Sequence, residues 1–168
     1  MMRGPVVFAA GARDVSPVSD RPVPRPPIDP AALNADPRDT MWTNLGYWPG
    51  AATYAEAAAA LALRVGQAAQ LHAGDVVVDY ACGYGDSLRL WVERFAVARV
   101  IGVEPDAELA RTVRERIQRW GLADRITIES ERAERIAPDS LASDVTAVVC
   151  VDGAYHFDSR RRWLLRTL

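Results

Sequence analysis

Three small residues alternate in the segment VVVDYACGYGDS, residues 76–87, where a run of apolar residues gives way to polar ones. They are Ala81, Gly83 and Gly85. Small residues at a strand-to-helix turn let a ligand approach the backbone closely, and the amides of the turn can face that ligand. Leu88 occupies the third glycine position of a dinucleotide fingerprint, so a bound pyrophosphate is not favoured. Taken alone, the glycines also fit a plain turn.

An acid follows the glycines at an informative distance. Glu104 ends the segment RVIGVE, about 20 residues after Gly85, where an acid at the tip of the second strand can accept hydrogen bonds from ribose hydroxyls. Glu104 also fits a second interpretation, an acid that favours a helix N-terminus beginning at Pro105. Together the two features indicate an adenosine ligand at the carboxyl ends of adjacent strands. Asp79, which precedes the glycines, is consistent with a cationic group on that ligand.

The sequence offers one candidate base. His156, in GAYHF, follows the predicted fourth strand, and histidine has an unperturbed pKa near neutrality. A histidine that only bonds to a loop is an equal alternative. The arginines Arg160, Arg161 and Arg162 open the last predicted helix and indicate a solvated face, with an anion site as the minority alternative. No spacing of cysteines and histidines suggests a zinc site.

Helices and strands must position these residues, and the sequence alternates between helical and extended patterns. Thr53 and Glu56 form a capping box before an alanine-rich run, which predicts a helix over 53–71. The alternation predicts an α/β fold, a Rossmann-like doubly wound and mostly parallel sheet in a three-layer sandwich. Strands are predicted at 76–80, 99–104, 125–130 and 144–152, and further helices at 86–96, from Pro105 to Gly121, and at 158–168.

The composition differs between the two parts of the chain and excludes several classes of function. Eight of the 11 prolines lie in residues 1–40, which predicts a disordered leader before a folded domain at 41–168. A PxxP-type ligand is an alternative for that leader. Twenty basic against 22 acidic residues argue against a nucleic-acid binder that works by bulk positive charge. No apolar run is long enough for a membrane span, and two cysteines favour a reducing cytoplasm.

The motifs resemble those of the class I S-adenosylmethionine-dependent methyltransferases. VVVDYACGYG is similar to that family's first motif, VIGVEPDAELARTVRERI to its second block, and DVTAVVCVDGAYHF to its fourth-strand block. The upstream NLGYWPGA resembles the leader that closes over the cofactor in small-molecule methyltransferases. The resemblance implies methyl transfer from S-adenosyl-L-methionine to a small molecule.

The resemblance also implies roles for individual residues. Glu104 would hold the ribose hydroxyls, and Asp79 the amino group of the ligand. Arg132 stands where the family usually has an acid against the adenine, and an arginine can stack on that ring but cannot accept from its amino group. The full set of expected cofactor-binding residues is Tyr47, Asp79, Ala81, Gly83, Gly85, Glu104, Pro105, Arg132, Ala133 and Asp152, with His156 as the catalytic base.

The family sheet has seven strands, and this sequence has residues for four. We therefore expect a chain truncated after the fourth strand, with the C-terminal strands missing and turnover impaired or lost. The alternative is a non-catalytic fragment that binds S-adenosylmethionine or acts as an interaction module. An open, apolar fourth strand would favour self-association through its edge. A nicotinamide oxidoreductase, the third possibility, is disfavoured by Leu88.

Overall fold

A computed structural model describes residues 29–34 and 39–167 of the chain. In that part, four strands form one parallel sheet in the order β3-β2-β1-β4, which confirms the predicted doubly wound α/β fold. The elements are α1 (Pro30–Leu33), α2 (Tyr54–Ala68), β1 (Val76–Tyr80), α3 (Asp86–Phe95), β2 (Arg99–Val103), α4 (Ala107–Arg119), β3 (Ile126–Glu129), α5 (Pro138–Leu141), β4 (Ala147–Val149), a 3-10 turn (Ala154–His156) and α6 (Arg160–Thr167).

Strand β1 is the centre of the sheet and the point where the strand order reverses. It pairs with β2 on one side, where Asp79 lies opposite Gly102, and with β4 on the other, where Asp79 lies opposite Val149. The loops that leave β1 and β4 therefore run to opposite faces and open a crevice between them, which is where open α/β sheets bind ligands.

Both faces of the sheet are covered, which confirms the three-layer sandwich. Helices α2, α3 and α4 pack on one face around Trp91, a fully buried side chain. Helices α5 and α6 cover the other face, where the buried ring of Trp163 lies edge-on to Tyr80 with 5.7 Å between centroids. Apolar residues dominate both layers, because a parallel sheet buries both of its faces.

The sequence predicted the start of α2 correctly and the start of α4 incorrectly. The capping box before α2 is confirmed, because Thr53 accepts from the backbone of Glu56 while the Glu56 carboxylate accepts from the backbone of Thr53. The expectation that Pro105 lies in a first helical turn is wrong. Asp106 caps α4 by accepting from two backbone amides of its first turn, so the helix begins at Ala107.

Strand β4 is shorter than predicted. The pattern suggested residues 144–152, but only Ala147–Val149 pair with β1. Before the strand, the Thr146 N–H still donates to the Val76 carbonyl over 2.9 Å, but the Thr146 hydroxyl accepts from the N–H of Val76 and donates to Asp75 over 2.8 Å. A side-chain oxygen thus takes the place of a backbone acceptor just before the strand begins. After it, Asp152 has a φ of 54°, a left-handed conformation that ends the extended run.

The proline-rich leader lies mostly outside the described residues, in 1–28 and 35–38. Its described part differs from the disordered tail that composition predicted. Residues 30–33 form α1, and the buried side chain of Asn34 donates to the Trp42 carbonyl over 2.9 Å and accepts from the Trp42 N–H over 3.0 Å. These bonds attach the end of the leader to the domain. Within 29–34 and 39–167, every helix is too short or too polar to cross a bilayer.

Candidate functional site

A cavity of about 690 Å³ opens at the carboxyl ends of β1, β2 and β4. Four segments form its walls: the glycine turn (residues 81–85), the loop that follows β2, residues 132–134, and the loop that follows β4. Residues 41–45, which we call the cavity strap, also line it. The cavity thus occupies the crevice where the strand order reverses, and its volume is in the range of small-molecule sites.

The two glycines of the turn have different tasks. Both have left-handed backbones, with φ of 55° at Gly83 and 85° at Gly85. A Cβ on Gly85 would lie 2.7 Å from Val113 of α4, so this glycine permits close packing of two helices and does not line the cavity. A Cβ on Gly83 would meet only Thr43 of the cavity strap, at 3.3 Å. Gly83 therefore leaves open space at the cavity wall.

Glu104 ties the glycine turn to the start of α4. Its Oε2 accepts from the Gly83 N–H over 3.2 Å, and its Oε1 accepts from the Asp106 N–H over 3.0 Å. The side chain is buried, and burial raises its pKa from 4.5 to about 7 despite these two hydrogen bonds. A carboxylate oxygen can accept more than one hydrogen bond, so both oxygens keep accepting capacity beside the cavity.

Asp79 lies beneath the turn and not in the cavity wall. The side chain is fully buried, and its Oδ2 accepts from the Trp91 indole over 2.8 Å. Within the described residues its Oδ1 has no hydrogen-bond partner. Burial raises its pKa from 3.8 to about 6, opposed by the nearby hydroxyl of Ser87 and by the indole of Trp91. An unpartnered buried carboxylate oxygen is costly, and a cationic group or a water nearby would relieve that cost.

The cavity strap is fastened at both ends by carboxylates. At one end the Met41 N–H donates to Asp86 over 3.1 Å, and at the other the Leu45 N–H donates to Asp152 over 2.7 Å. Asp86 forms a buried ion pair with Arg116 at 2.9 Å, and burial, partly offset by that arginine, raises the pKa of the aspartate. Arg116 also donates to the backbone oxygens of Tyr84 and Asp39.

Sequence reasoning missed Arg116 and Glu134. Arg116 follows Val113 by three residues, so it lies on the same face of α4 as the apolar stripe, and a buried arginine there signals a polar partner across the core. Glu134 lines the cavity and is buried, and it accepts from the Ser159 N–H over 3.2 Å. Beside it, Arg132 also lines the cavity and pairs with Asp158 at 3.4 Å.

The candidate base stands on the 3-10 turn at the cavity mouth. His156 and Tyr155 both line the cavity and are both exposed, and their ring centroids are 4.2 Å apart. The pKa of the Tyr155 phenol is raised, first by partial burial and then by the charge of Asp152. The imidazole of His156 thus lies between the cavity and the solvent, where it can accept a proton from a reacting group inside the cavity.

Most of the predicted site residues meet at this cavity. Tyr47, Asp79 and Gly85 do not line it, and the Tyr47 ring instead lies 4.1 Å from the guanidinium carbon of Arg64. Trp48, the tryptophan of the NLGYWPGA segment that resembles a leader closing over the cofactor, is exposed and also outside the wall. Within the described residues, no group of His, Cys, Asp or Glu could hold a metal ion. The predicted residues that do line the cavity are Ala81, Gly83, Glu104, Pro105, Arg132, Ala133, Asp152 and His156.

The sequence pattern of the methyltransferase-domain family matches residues 77–168, which are more than half of the chain and include most of the residues that line the cavity. The chain belongs to this family. The matched residues include the elements from β1 to α6. The methyl donor of the class I family is S-adenosylmethionine, the cofactor that the sequence motifs indicate.

Known proteins similar to this methyltransferase domain support the assignment. The erythromycin 3''-O-methyltransferase of Saccharopolyspora erythraea is 32% identical over 120 residues, which are 71% of this chain and 39% of that protein. Cyclopropane synthase MmaA2 from Mycobacterium tuberculosis has a TM-score of 0.55 at 22% identity, covering 73% of this chain and 40% of that one. A geranyl diphosphate C-methyltransferase from Streptomyces coelicolor A3(2), solved with S-adenosyl-L-homocysteine, has a TM-score of 0.53 at 24% identity, covering 59% and 37%. The chain thus spans about two fifths of the length of these relatives.

Proposed function

We propose that this methyltransferase domain binds S-adenosylmethionine in the cavity and transfers its methyl group to a small molecule. One observation carries the proposal: the glycine turn, Glu104 and the loop after β4 line a single cavity at the point where the strand order reverses. The curated relative that matches over 71% of the chain is named for O-methylation of erythromycin, a small molecule.

The residues present fit the methyl donor. Glu104 has accepting capacity for ribose hydroxyls, and the missing Cβ of Gly83 leaves room beside it. The Oδ1 of Asp79, which has no partner among the described residues, lies behind the turn, where it favours a positive charge nearby. We propose that Arg132 lies against the adenine and that Ala133, which is buried, gives the ring a flat apolar support.

The methyl donor and the protein make different contributions to the proposed reaction. When bound, S-adenosylmethionine supplies a methyl group on a sulfonium, with a good leaving thioether. The protein supplies alignment, which accounts for most of the acceleration in such a displacement. The cavity strap, fastened at Asp86 and Asp152, contributes a fixed wall against which the acceptor can be aligned. We propose that an imidazole nitrogen of His156 takes the proton when the acceptor is a hydroxyl or an ammonium.

Binding without turnover is the second candidate. The observation that favours it is that His156 and Tyr155 are both exposed at the mouth of the cavity. A base that faces bulk solvent gives little catalytic advantage, because water competes with the acceptor. In this case the chain would bind S-adenosylmethionine or its product without consuming the donor.

Two measurements on the full chain distinguish these candidates. Calorimetric titration with S-adenosylhomocysteine tests binding, and incubation of labelled donor with pooled neutral metabolites tests turnover. Binding together with donor consumption supports the enzyme, whereas binding alone supports the second candidate. A titration without heat or saturation would overturn both.

Two finer expectations remain proposals. We propose that the chain works in the cytoplasm, since Cys82 and Cys150 are both free thiols.

We also propose that the chain self-associates through β4, which lies at one edge of the described sheet. Sedimentation of the wild type and of Val148→Lys, a charge on that strand, tests the second idea. A monomer that sediments like the variant at every concentration would contradict it.

A further inference from the structure

We propose that the methyl acceptor is an apolar molecule that carries no negative charge, held at the cavity mouth by Leu33, Leu45 and Tyr155. This inference rests on the proposed function and narrows its substrate class. Two independent properties of the cavity support it, the position of exposed apolar side chains and the sign of the charges in the wall.

The exposed apolar side chains are concentrated at the mouth. Of the five large hydrophobic side chains that are exposed in the described residues, Leu33, Leu45 and Tyr155 line the cavity. Leu45 is 73% exposed and Tyr155 is 55% exposed, although most apolar side chains of this size are buried. We call these three residues the apolar rim. Exposed apolar groups gathered around one opening are typical of a ligand-binding surface.

The backbone holds the apolar rim in place even though its side chains face solvent. The Leu45 N–H donates to Asp152 over 2.7 Å, and the Leu45 carbonyl accepts from the Trp48 indole over 3.0 Å. Leu33 ends α1, which Asn34 fastens to the Trp42 backbone. Hydrogen bonds to the Leu45 backbone therefore hold its side chain in an exposed position. Exposure of an apolar side chain to water is unfavourable, and a ligand that covers the apolar rim would remove that free-energy cost.

The charges in the wall oppose an anionic acceptor. Five carboxylates line the cavity, of which Asp86 is already compensated by its ion pair with Arg116, and within the described residues Arg132 is the only arginine in the wall. Arg132 itself pairs with Asp158, so its charge is already compensated. The arginines at the start of α6 do not line the cavity. The five carboxylates are those of Asp86, Glu104, Asp106, Glu134 and Asp152.

The negative charge of Asp152 lies at the cavity mouth, where the acceptor would bind. Its charge is among the causes that raise the pKa of both Tyr54 and Tyr155, after the larger effect of burial at each phenol. Both tyrosines line the cavity, so the negative potential of Asp152 extends across the mouth. Among the described residues the wall holds no arginine except the paired Arg132, so a carboxylate or phosphate on the acceptor would meet this potential without a guanidinium to offset it.

A matched pair of probes tests the proposal. The full chain is first saturated with S-adenosylhomocysteine, and 1-octanol or octanoate is then titrated near neutral pH by ligand-detected NMR. The two probes share an eight-carbon body and differ in the charge of the head group. We expect octanol to bind at least about tenfold more tightly than octanoate. Equal affinities, or tighter binding of octanoate, would overturn the inference while leaving the proposed function intact.

Two variants assign the effect to the apolar rim and to Asp152. Leu45→Ser should weaken octanol binding about fivefold, whereas Leu165→Ser, an equally exposed leucine on α6 outside the cavity, should leave it unchanged. Asp152→Asn keeps an oxygen for the Leu45 N–H and should reduce the preference for octanol over octanoate. If neither Leu45→Ser nor Asp152→Asn changes probe binding, the acceptor site is elsewhere. If S-adenosylhomocysteine itself fails to bind, the proposed function fails first.

Discussion

The carboxylate of Glu104 accepts a hydrogen bond over 3.2 Å from the backbone N–H of Gly83, 21 residues earlier in the chain. The bond joins the loops that follow β1 and β2 at the floor of the cavity. It fixes the glycine turn while leaving the carboxylate able to accept further hydrogen bonds from a ligand. The account of donor binding depends on this relationship.

Gly83→Ala should weaken binding of S-adenosylhomocysteine at least about tenfold. The new Cβ would enter the cavity wall 3.3 Å from the Thr43 hydroxyl, and the left-handed backbone would be strained. Gly121→Ala is the matched control, since Gly121 has a φ of 68° and open space around it. Both variants should lose about 1 to 2 kcal/mol of stability, but only the first should lose affinity. Equal affinities by calorimetry would remove Gly83 from the site.

Glu104→Ala should weaken binding of S-adenosylhomocysteine by about 1 to 3 kcal/mol, the scale of a hydrogen bond to a charged group. Glu129→Gln is a suitable control, because Glu129 ends the neighbouring strand β3, is exposed and does not line the cavity. Calorimetric titrations of both variants give the comparison. An unchanged affinity in Glu104→Ala would move the ribose to another part of the cavity.

Burial of Glu104 should make stability fall as pH rises. The pKa of the folded state is about 7 against 4.5 for an unperturbed glutamate, so the folded protein binds the proton more tightly than the unfolded chain does. The resulting stabilisation is complete below about pH 4.5 and is lost as pH rises through about 7. Relative to Glu104→Gln, the wild type should lose roughly 3 kcal/mol of unfolding free energy across this range.

Urea unfolding at a series of pH values measures this difference. Subtracting the Glu104→Gln curve from the wild-type curve cancels the other buried carboxyl groups, including Asp79, whose pKa is raised in the same direction. The control Glu129→Gln should run parallel to the wild type. Parallel curves for Glu104→Gln and the wild type would mean that Glu104 titrates like an exposed glutamate.

Loss of Arg116 should be far more costly than loss of an exposed arginine on the same helix. Arg116→Met leaves the buried Asp86 without its ion-pair partner, at a cost of about 3 to 5 kcal/mol. Arg111→Met breaks an exposed pair with Glu115 and should cost within about 1 kcal/mol. Thermal or urea unfolding of the two variants gives the answer. Similar stabilities would show that Asp86 is satisfied without Arg116.

The sequence predicted the framework of this domain well, because local signals carry it. VVVDY forms β1 at the predicted residues, and Thr53 with Glu56 begins α2. The order of alternating elements was sufficient to place the glycine turn and Glu104 at the same edge of the sheet. Both lie at the cavity, as the spacing indicated.

The remaining details depend on partners that are distant in sequence. Gly85 was expected at the ligand, but the side chain that requires a glycine there is Val113 of α4. Tyr47 was expected over the cofactor, but its ring faces Arg64. The role of Arg116 depends on Asp86, 30 residues earlier, and on the carbonyl of Asp39, 77 residues earlier, and no local pattern records such pairings.

A crystal structure of the chain with S-adenosylhomocysteine tests the central claim most directly. The account predicts that the ribose hydroxyls lie within hydrogen-bond distance of Glu104 and that the ligand passes against the backbone of Gly83. Ligand density elsewhere, or a cavity that stays free of ligand at saturating concentration, would contradict it.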